Sequence, residues 1–338
     1  MTRKIAVAII LLLLLGGILF ALAVFRDPQS ALKTSRTDTC VGMLRIVDKS
    51  PLIVELENGV RFKLDTGSDL TTIAESDLAV LDSLGYVDDQ SIYWNIGRDG
   101  ADQFNFEEKS YHINLPLSIF YYETDSLGMP VEILQRRETA MMKDVAFAPA
   151  KTDFSVLGID FLKKFVVEYC PEQNYIAFHT KLPDGYEPTA PISNPYNIFK
   201  YPWSGSRYYI DFAVDGNANR YFIDTGLQAA HVKLPASDAK YCKRQLYPDK
   251  LRSFRDTVDA LVDQEAWVTC GSRAGSHSAF YCDDSEEDYS VNIFNVFSQD
   301  VVIDFPGHQV CLLPAKRFST RTTPVLKSSA DSAAVAGN

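Results

Sequence analysis

The sequence predicts an all-β protein made of two duplicated β units with few short helices. Short runs rich in β-branched and aromatic residues recur along the 338 residues, which are 46% hydrophobic and can fill the cores of two modest domains. The tripeptide Asp-Thr-Gly occurs twice, and so does a pattern of strand, proline turn and strand. Repetition of both features in one order indicates a duplication.

The N-terminus contains an unbroken apolar run from Ile5 to Phe25, preceded by Arg3 and Lys4. As a helix such a run reaches roughly 30 Å, the thickness of a bilayer core. It predicts a signal-anchor over residues 1–26, with the N-terminus in the cytoplasm and the remainder periplasmic or extracellular. A cleaved signal peptide is the alternative, because Ala21-Leu22-Ala23 resembles a cleavage site. Both interpretations export the rest of the chain.

Composition divides the remaining chain into five parts. A polar linker is expected over 27–40, a first unit over 41–182, a proline-rich linker over 183–200, a second unit over 201–314 and a disordered tail over 315–338. The prolines of the second linker exclude a helix or a central strand there.

The repeat is clearest around the two Asp-Thr-Gly copies. In the first, a hairpin with a turn at Asn58-Gly59 leads into RFKLDTGSDL, and in the second a turn near Asp215-Gly216 leads into RYFIDTGLQ. Further on, FVVEYCPEQNYIAF from Phe165 aligns without a gap with DVVIDFPGHQVCLL from Asp300. The two halves are therefore interpreted as copies of one β unit.

Two aspartates at equivalent places suggest one shared catalytic site. Carboxylates held against each other cannot easily both ionise, so Asp65 and Asp224 would act as one acid and one base at the same pH. The ionised member can take a proton from water as it attacks a peptide carbonyl, and the protonated member can support the oxyanion and the leaving amine.

The motifs DTGSDLTTI, AESDLAVLDSLG and SVLGIDFLKKFVVEY in the first half, with IDTG and the closing hairpin in the second, resemble the aspartic protease superfamily of pepsin and the retropepsins. The local residue pattern is closer to retropepsin-like bacterial domains of a membrane-anchored type than to pepsin, whereas the two-lobe single chain is similar to pepsin. The resemblance implies a bilobal fold with the active site between the lobes. It also implies an aspartic endopeptidase, acting on peptide or protein substrates, in which a monomer suffices for a complete dyad.

Residue by residue, the resemblance gives catalytic roles to Asp65 and Asp224. It implies interlocking hydroxyls, close-approach glycines, a serine buttress to Asp65 and a signature glycine: Thr66 and Thr225, Gly67 and Gly226, Ser68, and Gly158. A substrate flap is placed at Ile92 to Phe104, with Trp94, Gly97 and Gly100 as its candidate residues.

The second copy departs from the first at two positions. Leu227 stands where Ser68 stands in the first copy, and Ile293 aligns with Gly158. These departures keep open an alternative function, a catalytically degenerate module that binds peptides or envelope proteins without cutting them. A purely structural β protein would require both Asp-Thr-Gly copies to be accidents.

Other ligands find little support in the sequence. The net charge of −11 disfavours a nucleic-acid partner. No metal site or cofactor is expected, because the five histidines are scattered and no CxxC motif occurs. The even set of six cysteines in an exported chain predicts disulfides, with Cys270 and Cys282 as the expected pair.

Overall fold

A computed structural model describes most of the chain between residues 27 and 312. The described residues are 13–17, 27–36, 39–93, 97–99, 103–105, 108–124, 130–195, 207–227, 232–252, 257–283, 289–296 and 300–312. The predicted anchor lies outside them except for residues 13–17, and the predicted tail lies outside them entirely. In the described ranges, no helix has the length and apolar character needed to cross a membrane.

Strands dominate the described chain, which confirms the all-β class. The strands of the first half are β1 Lys33–Thr34, β2 Cys40–Lys49, β3 Leu52–Glu55, β4 Arg61–Asp65, β5 Thr72–Ile73, β6 Val87–Tyr93, β7 Gly97–Asp99, β8 Gln103–Asn105, β9 Glu108–Thr124, β10 Pro130–Pro149, β11 Ser155–Gly158, β12 Val166–Cys170 and β13 Tyr175–His179. The helices are a 3-10 turn, Pro28–Ala31, and two α-helices, α1 Glu75–Ser83 and α2 Ile159–Leu162.

The second half repeats this order of elements in a shorter form. Its strands are β14 Ala190–Ser193, β15 Tyr209–Val214, β16 Asn217–Ile223, β17 Val232–Leu234, β18 Tyr247–Arg252, β19 Thr257–Cys270, β20 Arg273–Tyr281, β21 Ser290–Val291, β22 Val301–Asp304 and β23 Gln309–Leu312. Its helices are a 3-10 turn, Ala236–Tyr241, and α3 Ile293–Val296. In each half the strand before Asp-Thr-Gly leads to a short strand, a helix, a set of longer strands, a one-turn helix and a closing hairpin.

One antiparallel sheet joins the two halves. The closing hairpins meet edge to edge, with Val166 of β12 opposite Asp304 of β22 and Tyr169 opposite Val301. Strands β2, β13, β12, β22, β23 and β14 follow one another across this sheet. Above it the core is continuous between the halves, since the ring of Tyr169 lies 4.9 Å from that of Phe294. Pairing and packing together fix how the halves face each other.

The proline-rich segment contains a strand, contrary to the prediction for 183–200. Strand β14 pairs with both β23 and β15. On the side that faces β23, Thr189 N–H donates to the carbonyl of Val310. Ile192 N–H donates to the carbonyl of His308. Pro191 therefore sits in a sheet position where no donor is needed, which is how a proline is accommodated there.

The polar segment predicted as a linker over 27–40 is packed on the first half. The amide of Gln29, only 2% exposed, exchanges hydrogen bonds with the backbone of Ala146 and donates to Asp160 Oδ2 at 2.9 Å. Strand β1 then pairs with β10. No apolar periodicity in the sequence indicates this docking, because a buried amide with matched partners holds the segment in place.

Burial raises the pKa of Asp160 to about 6, even though Gln29 and Thr71 donate to its carboxylate. Asp160 therefore stabilises the fold most below the pKa of the unfolded chain, near 4, and this contribution is lost as the pH rises through 6. We expect the unfolding free energy of the wild type, minus that of Asp160→Asn, to fall by about 2 kcal/mol between pH 4 and pH 7.

Urea unfolding of both full-length chains at each pH measures this difference. Any structural rearrangement around the new amide changes the difference in unfolding free energy by the same amount at every pH. A difference that stays constant across the range would contradict the assignment to Asp160.

All six cysteines are thiols, so the predicted pairing of Cys270 with Cys282 is wrong. Cys270 lies at the tip of the β19–β20 hairpin, opposite Arg273, whereas Cys282 follows Tyr281 at the other end of β20. Nine residues of strand separate the two ends by roughly 30 Å. A disulfide requires α-carbons within about 7 Å. Closeness in the sequence therefore does not bring these sulfurs together.

Thiol reactivity checks this arrangement. Cys170, Cys270, Cys282 and Cys311 are at most 3% exposed, and burial raises the pKa of Cys270 to about 12 and of Cys311 to about 11. In the native protein we expect an aromatic disulfide reagent to modify only Cys40 and Cys242, which are half-buried, and to modify all six after unfolding. Non-reducing peptide mapping that links Cys270 to Cys282 would contradict the structure.

Candidate active site

The two Asp-Thr-Gly loops follow equivalent strands. Strand β4 ends at Asp65, and β16 ends at Ile223, one residue before Asp224. Each strand has a parallel partner from later in its own half: β11 places Gly158 opposite Asp65, and β21 places Val291 opposite Ile223. The parallel partners hold the ends of both aspartate-bearing strands inside a sheet.

Four hydrogen bonds between the halves lock the loops together. The N–H of Thr66 donates to Thr225 Oγ1, and the N–H of Thr225 donates to Thr66 Oγ1, both at 3.0 Å. The Thr66 hydroxyl donates to the carbonyl of Ile223 at 2.7 Å, and that of Thr225 to the carbonyl of Leu64 at 3.1 Å. Both threonines are buried, at 3% and 0% exposure. The structure thus brings the predicted interlocking pair together.

The carboxylates of Asp65 and Asp224 meet beside the glycines of the loops. Gly67 N–H donates to Asp65 Oδ1, and Gly226 N–H to Asp224 Oδ1, each at 2.9 Å. A β-carbon on Gly67 would lie 2.7 Å from Oδ1 of Asp224 and 3.0 Å from Oδ1 of Asp65. Both oxygens thus lie within 3.0 Å of one point, so a single bound water at that point could contact both carboxylates.

Glycine is required at both loop positions. A β-carbon on Gly226 would lie 2.2 Å from Asp65 Oδ1, closer than any real contact. The same argument holds at Gly67, where the added carbon would press on Asp224. The close-approach role predicted for Gly67 and Gly226 therefore has a direct steric basis.

The partner of the other Asp65 oxygen differs from the prediction. Ser68 was expected to buttress Asp65, but its hydroxyl donates to the carbonyl of Leu70 at 3.0 Å. Instead Lys63 Nζ lies 2.8 Å from Asp65 Oδ2, with side chains 10% and 14% exposed. Lys63 precedes Asp65 by two residues, so both side chains project from one face of β4. The spacing of two residues is the sequence feature that could have predicted the contact between Lys63 and Asp65.

Gly158 supports the first loop as expected. A β-carbon there would lie 2.5 Å from the carbonyl carbon and oxygen of Leu70, so only glycine allows the two backbones to cross. Its N–H donates to Thr71 Oγ1 at 3.0 Å, and Thr71 in turn donates to Asp160 Oδ1 at 2.7 Å. Thr71 and Asp160 are not among the predicted site residues, since nothing local in the sequence marks their contact.

In the second half, Asn292 occupies the place of Gly158. Val291 lies opposite Ile223 as Leu157 lies opposite Leu64, so the next residue, Asn292, faces the aspartate position. Aligning Ile293 with Gly158 was therefore wrong by one residue: Ile293 begins α3 as Ile159 begins α2.

Asn292 closes the second loop with its side chain. It is fully buried, and its Nδ2 donates to the carbonyls of Thr225 at 3.1 Å and Leu227 at 3.4 Å. Leu227, the other departure, is 9% exposed. The second half thus replaces a close backbone crossing with a side-chain amide, and its loop keeps hydrogen-bonded support.

The candidate flap is only partly described. Gly97 begins β7, which pairs with β8 as a small hairpin between β6 and β9. Trp94 and Gly100 lie outside the described residues. Within the described part of the chain, no cluster of three or more His, Cys, Asp or Glu could hold a metal ion.

Comparisons with known proteins add little. No protein-family profile matches the chain, and no curated protein matches it. Among solved structures, the crystal structure of basic 7S globulin from soybean is 11% identical, with 83% of this chain and 94% of that chain covered, at a TM-score of 0.36. At that level of similarity, an assignment of function depends on the site itself.

The threonine lock gives a direct test of the geometry. Thr225→Val keeps the shape but removes the hydroxyl that accepts from Thr66 N–H and donates to Leu64 O, leaving both groups buried without that partner. We expect the unfolding free energy to drop by about 1–3 kcal/mol. Urea denaturation of the full-length chain measures the drop.

Thr225→Ser is the matched control, because it retains the hydroxyl and should lose less. A double-mutant cycle of Thr66→Val with Thr225→Val should show coupling, since the residues share hydrogen bonds. Equal losses of unfolding free energy for Thr225→Val and Thr225→Ser would contradict the role of these hydrogen bonds. So would a double mutant whose loss equals the sum of the two single losses.

Proposed function

We propose that this chain is an aspartic endopeptidase with a bilobal, pepsin-like arrangement, in which Asp65 and Asp224 hydrolyse peptide bonds through an activated water. The N-terminal apolar segment would anchor it in a membrane, with the dyad on the extracytoplasmic side. Both aspartates come from one chain, so a monomer contains a complete site.

One observation carries the proposal: the reciprocal hydrogen bonds of Thr66 and Thr225, which join the loop that carries Asp65 to the loop that carries Asp224. Aspartates in ordinary turns need no such pairing, because the backbone groups of each turn form their hydrogen bonds within that turn. Placing two acids in one small, largely buried volume disfavours ionisation of both together. That unequal protonation is what acid–base hydrolysis of an amide needs.

The chemistry follows from that state. A water held between the carboxylates loses a proton to the ionised aspartate as it attacks the peptide carbonyl. The protonated aspartate gives its proton to the developing oxyanion. As the C–N bond breaks, the aspartate that took the proton from water passes it to the leaving nitrogen, and the other aspartate takes a proton back from a hydroxyl of the tetrahedral intermediate. Neither aspartate is acylated, and the starting protonation state returns when the products leave.

Peptide binding without cleavage is a second candidate. The Lys63 ion pair favours it, because the ammonium group occupies Oδ2 of Asp65. Such a protein would keep the fold and the cleft while one carboxylate stayed engaged with the lysine. The two functions differ in whether products form, which is directly measurable.

Cleavage should depend on both aspartates. We expect the full-length chain in detergent micelles to cut members of a proteome-derived peptide library, with products identified by mass spectrometry. Asp65→Asn and Asp224→Asn should each lower the cleavage rate by at least about a hundredfold, because each removes one acid–base partner.

Asp82→Asn is the matched control, since Asp82 is exposed on α1 and should leave the rate unchanged. Cleavage that survives both active-site changes would overturn the assignment. Peptide retention without products in the wild type would favour the binding function.

A further inference from the structure

A cavity in the second half lies away from the two aspartates. Its volume is about 400 Å³, within the range of small-molecule sites. It is lined by the turn between β15 and β16, the first residues of β16, the 3-10 turn Ala236–Tyr241, and two tyrosines, Tyr281 and Tyr289. Asn217 begins β16 and Asp224 follows its other end, so roughly 20 Å of strand separates the cavity from the candidate active site.

We propose that this cavity binds a primary alkylammonium group, held by the carboxylate of Asp238 and the hydroxyl of Tyr221. Such a group belongs to a free diamine or polyamine, or to the side chain of a lysine. Binding of this kind is independent of peptide cleavage.

The hydroxyl of Tyr221 is a buried polar group without a hydrogen bond. The residue is 0% exposed, and its oxygen has no partner within the described parts of the chain. Buried hydroxyls in folded proteins are almost always hydrogen-bonded, because removing a polar group from water without a new partner is unfavourable. A polar ligand beside Tyr221 would supply the missing partner.

Strand geometry and neighbouring groups place this hydroxyl beside the cavity. Asn217, Asn219 and Tyr221 alternate along β16, so their side chains project from one face, and both asparagines line the cavity. The ring of Tyr221 lies 5.3 Å from that of Tyr289. Burial raises the pKa of Tyr221, and the nearby carboxylate of Asp238 raises it further. The hydroxyl therefore stays protonated, and its oxygen can accept from an ammonium group.

The charges around the cavity favour a cation. Arg244 pairs with both Asp215, which lines the cavity, and Asp263. Asp238 accepts from the hydroxyl of Tyr289 at 2.7 Å, but it forms no ion pair with a lysine or arginine of the described chain. A half-buried carboxylate in this position has no counter-charge, which an ammonium ligand would provide.

The other lining groups also fit an alkylammonium ligand. An ammonium group has three donors and no acceptor, and the amide oxygens of Asn217 and Asn219 are acceptors on the same wall. The ring of Tyr281 offers an aromatic face for the alkyl chain or the charge. At the exposed edge, the ammonium group of Lys240 already lies 4.8 Å from the ring centre of Tyr241. A neutral alcohol would leave Asp238 without a counter-charge.

Cys242 is a built-in reporter of binding, because it lines the cavity and is half-buried. Iodoacetamide is uncharged, so the rate at which it alkylates Cys242 reports access to the thiol. In the full-length chain in detergent micelles, we expect diaminopentane to slow this alkylation in a saturable way, by at least about threefold. Cys40, in the first half, is the internal reference and should react at an unchanged rate.

Two further compounds separate the possible ligands. Pentanediol has the same chain length with hydroxyl groups in place of the amines, and it should give no protection. The amide of Nα-acetyl-lysine carries the amine of a protein side chain. Protection by both amines would identify a lysine side chain as a ligand, whereas protection by diaminopentane alone would identify a free diamine. Protection by neither amine, or equal protection by pentanediol, would overturn the proposal.

Substitutions test the two binding groups. Asp238→Asn should raise the diaminopentane concentration needed for half-maximal protection by about tenfold, because it removes the charge that pairs with the ammonium group. Asp249→Asn is the matched control, since Asp249 is exposed on β18 and does not line the cavity. Unchanged protection in Asp238→Asn would contradict the role of this carboxylate.

Tyr221→Phe separates ligand binding from a structural role. It should weaken protection while leaving the unfolding free energy no lower than that of the wild type, because the hydroxyl that it removes has no partner in the described chain. Urea unfolding without ligand measures the second quantity. A clear loss of unfolding free energy, or protection equal to that of the wild type, would show that the hydroxyl does not serve a ligand.

Discussion

The hydrogen bonds between Thr66 and Thr225 are the constraint on which the site depends. They cross from one half to the other, and each threonine both accepts from and donates to the opposite backbone. The pairing of β12 with β22 joins the halves at one place, and the hydrogen bonds of the two threonines join them at another. Without both, two carboxylates would have no reason to remain in one small volume against their mutual repulsion.

The halves share an architecture but stabilise their loops differently. The first uses Gly158 for a backbone crossing, with Thr71 linking it to Asp160, whereas the second uses the amide of Asn292. Through Asp160, the hydrogen-bonded network also reaches Gln29 in the N-terminal segment that packs on the first half. The segment next to the proposed membrane anchor is therefore connected to the loop that carries Asp65.

Much of the fold was accessible from the sequence because duplication and strand composition are local signals. The all-β class, the equivalence of the closing hairpins and the positions of both aspartates follow from patterns within short windows. The errors have a common origin. The disulfide, the Ser68 buttress and the alignment of Ile293 all depended on which residues meet across strands, and periodicity does not report this.

The sequence by itself determined that Asp65 and Asp224 occupy equivalent loops, since each follows a β-rich strand and precedes Thr-Gly. Only the tertiary structure decided which atoms contact their carboxylates. Sheet register sets Gly158 and Asn292 opposite the aspartates, and burial holds Lys63 against Asp65. The physical reason is that neighbouring residues determine whether a segment forms a strand. The register between strands and the burial of side chains arise only when distant segments pack together.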